Sequence, residues 1–403
     1  MRMLILSLAF VGTVSGLYSQ SYFDSNGIPN LPSLQYGTPE QVGILSDSLF
    51  AGIERIVLEA IDSGAFPGCQ VLLAKDGIIF YERAFGYHTY AQKQPVTTND
   101  LYDLASVTKT TAATLSLMEL YDNGVFSPDA SFGEIFPEFD HSNKAELSMR
   151  EVLAHQAGLR PWVPYWSESQ RKSGDFKWNT VSTDSSARFN YRLSDSDLYL
   201  HRRYKEKKIY SMIRKTKVSE DKEYVYSGLA FYLIPEYVRR MSSYSFDTFL
   251  RAHFYNPLGA ETLCFNPSEK FSLSRIVPTE VDTFFRMDTL HGIVHDEGAA
   301  MMRGVSGNAG LFSTSRDLAK VYQMLLNGGT YHYRKFLKEE TVYEFTRCQF
   351  CGSGNRRGLG FDKPLIEYDA SKSSVAKDAS PESFGHTGYT GTLVWADPAN
   401  DLL

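Results

Sequence analysis

The segment from Asp103 to Gly124 constrains this 403-residue chain more than any other. It begins Asp103-Leu104-Ala105-Ser106-Val107-Thr108-Lys109, carries Ala112, Leu115, Met118 and Leu120 as an apolar stripe, and stops at Asn123-Gly124. Apolar side chains every three or four positions make a helix with one face in a core. Ser106 stands at the N-terminal end of that helix, and Lys109, three positions on, shares its face. An unactivated hydroxyl is a poor nucleophile at neutral pH, and an adjacent amine that can take its proton activates it. The same spacing recurs at Ser169, Ser219 and Ser374. Those stretches are dense in Lys, Arg, Asp and Ser, lack an apolar period and read as solvated loops. For Ser106 the rival reading is a helix cap.

Two more segments favour the chemical reading. Tyr224-Val225-Tyr226-Ser227-Gly228 precedes an apolar run to Ile234, which puts a tyrosine at a loop-to-helix junction. Near the end, Phe384-Gly385-His386-Thr387-Gly388-Tyr389 leads into Thr390-Gly391-Thr392-Leu393-Val394-Trp395. This reads as one strand over 385–396 with a glycine-rich entry that a ligand backbone could approach.

Serine with lysine, then tyrosine, then a basic residue before Thr-Gly, is the motif order of the serine β-lactamase and penicillin-binding protein superfamily. The chain resembles that superfamily over most of its length, in particular the class C branch with its D-alanyl-D-alanine carboxypeptidases, D-aminopeptidases and esterases. Further likeness lies in Glu151–Leu159, Val294-His295-Asp296, Gly304–Thr314 and Arg357-Gly358-Leu359-Gly360-Phe361-Asp362. Together these segments resemble the serine-hydrolase domain that some bacteria fuse behind a family 3 glycosidase. Two positions depart from the pattern. Gly228 stands where the family has Asn or Asp, so a side chain that would bond the lysine and a substrate amide is missing. His386 stands where lactamases have lysine. An imidazole with its ordinary pKa of about 6.5 would there carry a charge that switches near neutral pH.

The resemblance implies an α+β, β-lactamase-like fold of two lobes with the active site in the cleft between them. An antiparallel sheet flanked by helices (about 45–105 and 346–403) would carry an inserted all-helical lobe (about 106–345). Beyond the His-Thr-Gly strand the family continues with more strands and a helix, whereas this sequence ends at Leu403, so a sheet of about three strands with an open edge is expected. The resemblance also implies the roles. Ser106 would attack a carbonyl, and Lys109 and Tyr226 would share the general-base work. The main-chain N–H groups of Ser106 and Tyr389 would bind the oxyanion, and His386, Thr387, Gly388 and Tyr389 would line the substrate. No cofactor or metal is implied. The substrate would be a D-amino-acid peptide of the cell wall, a β-lactam or a small ester. The alternative is a catalytically weak penicillin- or peptidoglycan-binding protein of the same fold. A conventional α/β-hydrolase is excluded by the lack of a G-x-S-x-G elbow.

Composition fits an exported enzyme. Met1-Arg2-Met3 is a short basic start, Leu4–Val14 is an apolar run too brief to span a bilayer, and small residues follow. This reads as a signal peptide over 1–19, cut near Ser19-Gln20, ahead of an extended segment over 20–44 and a hydrolase domain over 45–403. Localisation would be periplasmic or secreted. Net charge is −6, which leaves no footprint for nucleic acid, and oligomeric state is not legible. The basic stretch His201–Lys217 reads as a solvated face with Leu200, Tyr204 and Ile213 turned inward. Cys69, Cys264, Cys348 and Cys351 allow three pairings. Cys348 and Cys351 suit a local disulfide or two thiols, since no second pair completes a zinc site. His291 and His295 lack the intervening glutamate of a zinc motif and read as loop. Cys69–Lys75 and Ile78–Phe85 around Asp76-Gly77 read as a hairpin, and Leu45–Ile61 as a helix.

Overall fold

The computed structural model describes residues 33–194, 196–204 and 208–403. The signal-peptide reading and most of the extended segment fall outside them. Helix α1 (Ser46–Asp62) and strands β1 (Gly68–Lys75) and β2 (Ile78–Gly86) match the expected helix and hairpin. Asp76 and Gly77 at the tip have φ of 52° and 76°, the two left-handed residues a tight hairpin turn needs. Gln35–Tyr36 runs parallel to the start of β2. On the other edge of the hairpin, Leu403 exchanges two main-chain hydrogen bonds of 2.8 Å with Ala74 of β1.

The segment that carries Ser106 forms a tight turn at Ala105–Val107, a π-helical stretch at Lys109–Thr114 and helix α2 (Leu115–Asp122). Every residue from Val107 to Met118 is buried, and Gly124 (φ 69°) ends the run as its sequence foretold. Around it lies one large core that draws on residues from Leu101 to Ala396. Just before the turn, Tyr102–Asp103 pairs antiparallel with β3 (Leu311–Ser313). Helix α3 (Ser315–Leu326) follows, and Thr314 caps it by accepting the Asp317 N–H.

Three expectations need correction. The segment over 385–396 is not one strand but a hairpin, β4 (Phe384–Thr387) and β5 (Leu393–Ala396), because Gly388 donates its N–H to the Thr392 carbonyl (2.7 Å) and Gly391 adopts φ 88°. The inserted lobe is mainly helical but also holds a three-stranded antiparallel sheet of Val181–Ser182, Leu198–His201 and Phe189–Ser194. Ser169 is fully buried, with its hydroxyl bonded to the Trp166 carbonyl, whereas Ser219 and Ser374 are exposed as expected. Leu200, Tyr204 and Ile213 are indeed buried, the first on a strand and the last on a helix. Among the described residues no helix is long and apolar enough to cross a membrane, and no cluster of His, Cys, Asp or Glu suits a metal.

Candidate active site

Ser106 sits in a turn that is held from three sides. The Asp103 carboxylate accepts the N–H of Ala105 (2.8 Å) and that of His295 (2.7 Å). The hydroxyls of Thr390 and Thr392, from the β4–β5 turn, donate to the carbonyls of Asp103 (2.7 Å) and Leu104 (3.0 Å). Gly388 lies so close that a Cβ there would stand 2.5 Å from the Leu104 carbonyl oxygen. Thus the chain's two most distant motifs meet. Ala105, immediately before the serine, has φ 45°, a left-handed conformation that costs a non-glycine residue about 1–2 kcal/mol.

The Lys109 amine donates to Ser106 Oγ at 2.9 Å and to the carbonyl oxygen of Asn308 at 2.9 Å. Its side chain is buried, with the nitrogen 5.3 Å from the Tyr226 ring centre and 5.6 Å from that of Phe231. The Tyr226 hydroxyl is buried and makes no hydrogen bond among the described residues. The loop that carries it is strapped to His155: Val225 N–H donates to the His155 carbonyl (3.0 Å) and Ser227 N–H to its Nδ1 (3.2 Å). His155 in turn packs its ring 4.5 Å from that of Tyr226. An ideal Cβ on Gly228 would lie 4.0 Å from both Lys109 Cε and Asn308 Cβ, so this position borders the lysine and has room for a side chain.

His386 is buried, its ring 6.0 Å from that of Tyr226. Its Nδ1 donates to the Thr387 carbonyl (2.7 Å), since a carbonyl can only accept. Nε2 is therefore the lone-pair nitrogen, and it faces Arg357 Nη1 at 3.4 Å. Burial first, then the charges of Arg357 and Lys109, push its pKa down to about 3. The expected switch of charge near neutral pH is thereby overturned: the imidazole stays neutral as the acceptor for a guanidinium. His155 is held well below 6.5 by burial first and then by the Arg357 guanidinium. The permanent cation beside the strand is Arg357, a buried residue whose guanidinium lies 5.3 Å from the Tyr226 ring centre and donates to the Tyr224 hydroxyl (3.1 Å). Burial alone would raise the neighbouring Asp362 carboxyl, but Arg357 and Arg356 outweigh it and hold the group below the usual carboxylate range. Asp362 exchanges main-chain bonds with Gly385, which sets the Arg357 segment alongside β4. Tyr389 is 85% exposed and leans on the His295 ring at 5.2 Å.

Residues 53–403 match the family described as Beta-lactamase. The chain belongs to the beta-lactamase family. This beta-lactamase-family chain is a serine hydrolase by that membership. It is 29% identical over 98% of its length to 90% of a Salmonella agona (strain SL483) protein named "Putative D-alanyl-D-alanine carboxypeptidase". A penicillin-binding protein homologue from Caulobacter crescentus shares its fold, with a TM-score of 0.60 and 19% identity over 89% of this chain and 91% of that one. So does a class C beta lactamase from Rhodobacter sphaeroides, with a TM-score of 0.59 and 16% identity over 89% and 92%. Of the expected residues, this beta-lactamase-family structure brings Ser106, Lys109 and Tyr226 together, sets Gly388 against the serine turn, and buries His386 behind Arg357. Sequence reading gave no role to Arg357, His155 or Asn308. Each lay inside a segment noted only for likeness, and a buried arginine is not visible as buried until the strand beside it is placed.

Proposed function

We propose that this enzyme is a carboxypeptidase-type acyl-serine hydrolase acting on peptides that end in a D-amino acid with a free carboxylate. Ser106 Oγ attacks the scissile carbonyl as Lys109, in its neutral form and with its lone pair turned to the serine, takes the hydroxyl proton, which then replaces the one that Tyr226 gives up, and the N–H groups of Ser106 and Tyr389 receive the oxyanion. Tyr226, whose hydroxyl is left for the substrate, helps return a proton to the leaving amine. Water then releases the acyl group and restores the serine. The single observation that carries this reading is the 2.9 Å contact from the buried Lys109 amine to Ser106 Oγ. Arg357 supports the substrate class, because it supplies fixed positive charge at the strand edge where a neutral His386 cannot. Export through residues 1–19 is part of the proposal.

Intact mass after exposure to a fluorophosphonate and to a penicillin tests it. A single adduct with each, both lost in Ser106→Ala at unchanged far-UV circular dichroism, is expected. Undiminished labelling of Ser106→Ala would sink the assignment. A penicillin adduct that persists, with no turnover of D-alanyl-D-alanine peptides, would instead make the protein a binder. Lys109→Ala should slow acylation roughly 100-fold or more, the scale of a lost general base.

A further inference from the structure

Among the described residues the Lys109 amine has one hydrogen-bond partner besides Ser106, the carbonyl oxygen of Asn308, and nothing from position 228. The residue that offers that carbonyl is braced through its side chain. Asn308 Oδ1 accepts the Ser306 hydroxyl (2.6 Å), and its Nδ2 donates to the Tyr232 hydroxyl (3.0 Å). The Tyr232 hydroxyl donates in turn to Asp296 Oδ1 (3.0 Å), which also caps the helix Glu297–Met301 by accepting the Ala299 N–H (2.6 Å). Donors and acceptors alternate without conflict along this chain, so each group has one orientation. A Cβ on Gly307 would overlap the Phe231 carbonyl, and Leu311 N–H is tied to Thr108 Oγ1 (3.1 Å), which fixes the loop on both sides of Asn308.

We infer that Asn308 is a positioning residue for the Lys109 amine, braced through Tyr232 by Asp296, and that it takes the place of a side chain at position 228. The inference rests on Lys109 being the proton acceptor of Ser106. A displaced amine leaves the substrate site intact, so the loss belongs in the acylation step and not in binding.

The experiment measures the acylation rate constant with a fluorophosphonate across pH for Tyr232→Phe, which removes one hydroxyl and little volume. A loss of roughly 10- to 100-fold, the scale of a misplaced reacting group, is expected, with a shifted midpoint in the pH profile. Adding Gly228→Asn, which offers the lysine a new partner in the open position, should recover most of that loss. If Tyr232→Phe does not fold, Ser306→Ala removes the other brace and carries the same expectation. A wild-type rate in the variant, or a lower rate with an unmoved pH profile and no recovery by Gly228→Asn, overturns the inference. Loss in Lys109→Ala with none at 232 or 306 defeats only the positioning role. A wild-type rate in Lys109→Ala defeats the proposed function itself.

Discussion

Whether a histidine carries charge depends on its neighbours more than on its identity. His386 has its Nδ1 proton committed to a carbonyl and its lone pair turned to a guanidinium, so protonation would set two cations face to face. Activity toward carboxylated substrates should therefore show no limb attributable to His386 between pH 5 and 8. Arg357→Gln should lower kcat/KM for a carboxylate-ended peptide by roughly 10- to 100-fold, the worth of a charge-assisted hydrogen bond, and leave a neutral ester little changed. Parallel losses on both substrates would return Arg357 to a purely structural part. Asp362 bonds Arg356 through both carboxylate oxygens, at 2.7 and 3.0 Å, and meets Arg357 at a longer 3.3 Å. Asp362 thus pairs mainly with Arg356, which is what the proposed contact of Arg357 with a substrate carboxylate requires.

At the scale of elements, the hairpin β4–β5 reaches the serine turn through two threonine hydroxyls and one glycine. Gly388→Ala would drive a methyl group into the Leu104 carbonyl and the Thr392 hydroxyl. The turn must then move away from Ser106, and kcat/KM should fall roughly 100-fold while the melting temperature changes little. Full activity in that variant would mean the hairpin does not set the site. The elements themselves were legible where local chemistry dictates them: Asp76-Gly77 for the first hairpin, the apolar period of α2, the Asn123-Gly124 stop. What stayed hidden is what only packing decides. The β4–β5 turn looked like strand because its threonines are good strand formers, and the small sheet at 181–201 lay in a stretch whose charges masked its buried Leu198 and Leu200. The i, i+3 pairing of Ser106 with Lys109 could be read from spacing, but the Asn308 carbonyl lies 199 residues further along the chain from Lys109 and could not.

At the scale of the whole molecule, the buried histidines contribute to how stability depends on pH. Between about pH 6.5 and about 3 the unfolded chain takes up a proton on His386 that the folded one refuses. Stability from that source is complete above the unfolded value and is lost as pH falls, at up to about 1.4 kcal/mol per pH unit. His155 adds in the same direction. The melting temperature should fall steadily below pH 6.5, and His386→Asn should flatten the decline. An equal slope in the variant would show that other groups govern acid stability. At the basic end, burial holds Lys144 and Lys363 at about 8, so between about 8 and 10.4 the same reasoning makes stability rise with pH. The wound backbone at Ala105 bears on how such a protein can be improved. Ala105→Gly would relax the left-handed residue and raise the fold's robustness, yet let the turn wander, so a screen for heat tolerance should collect this substitution and a screen for turnover should discard it. Longevity and speed here draw on one dihedral angle.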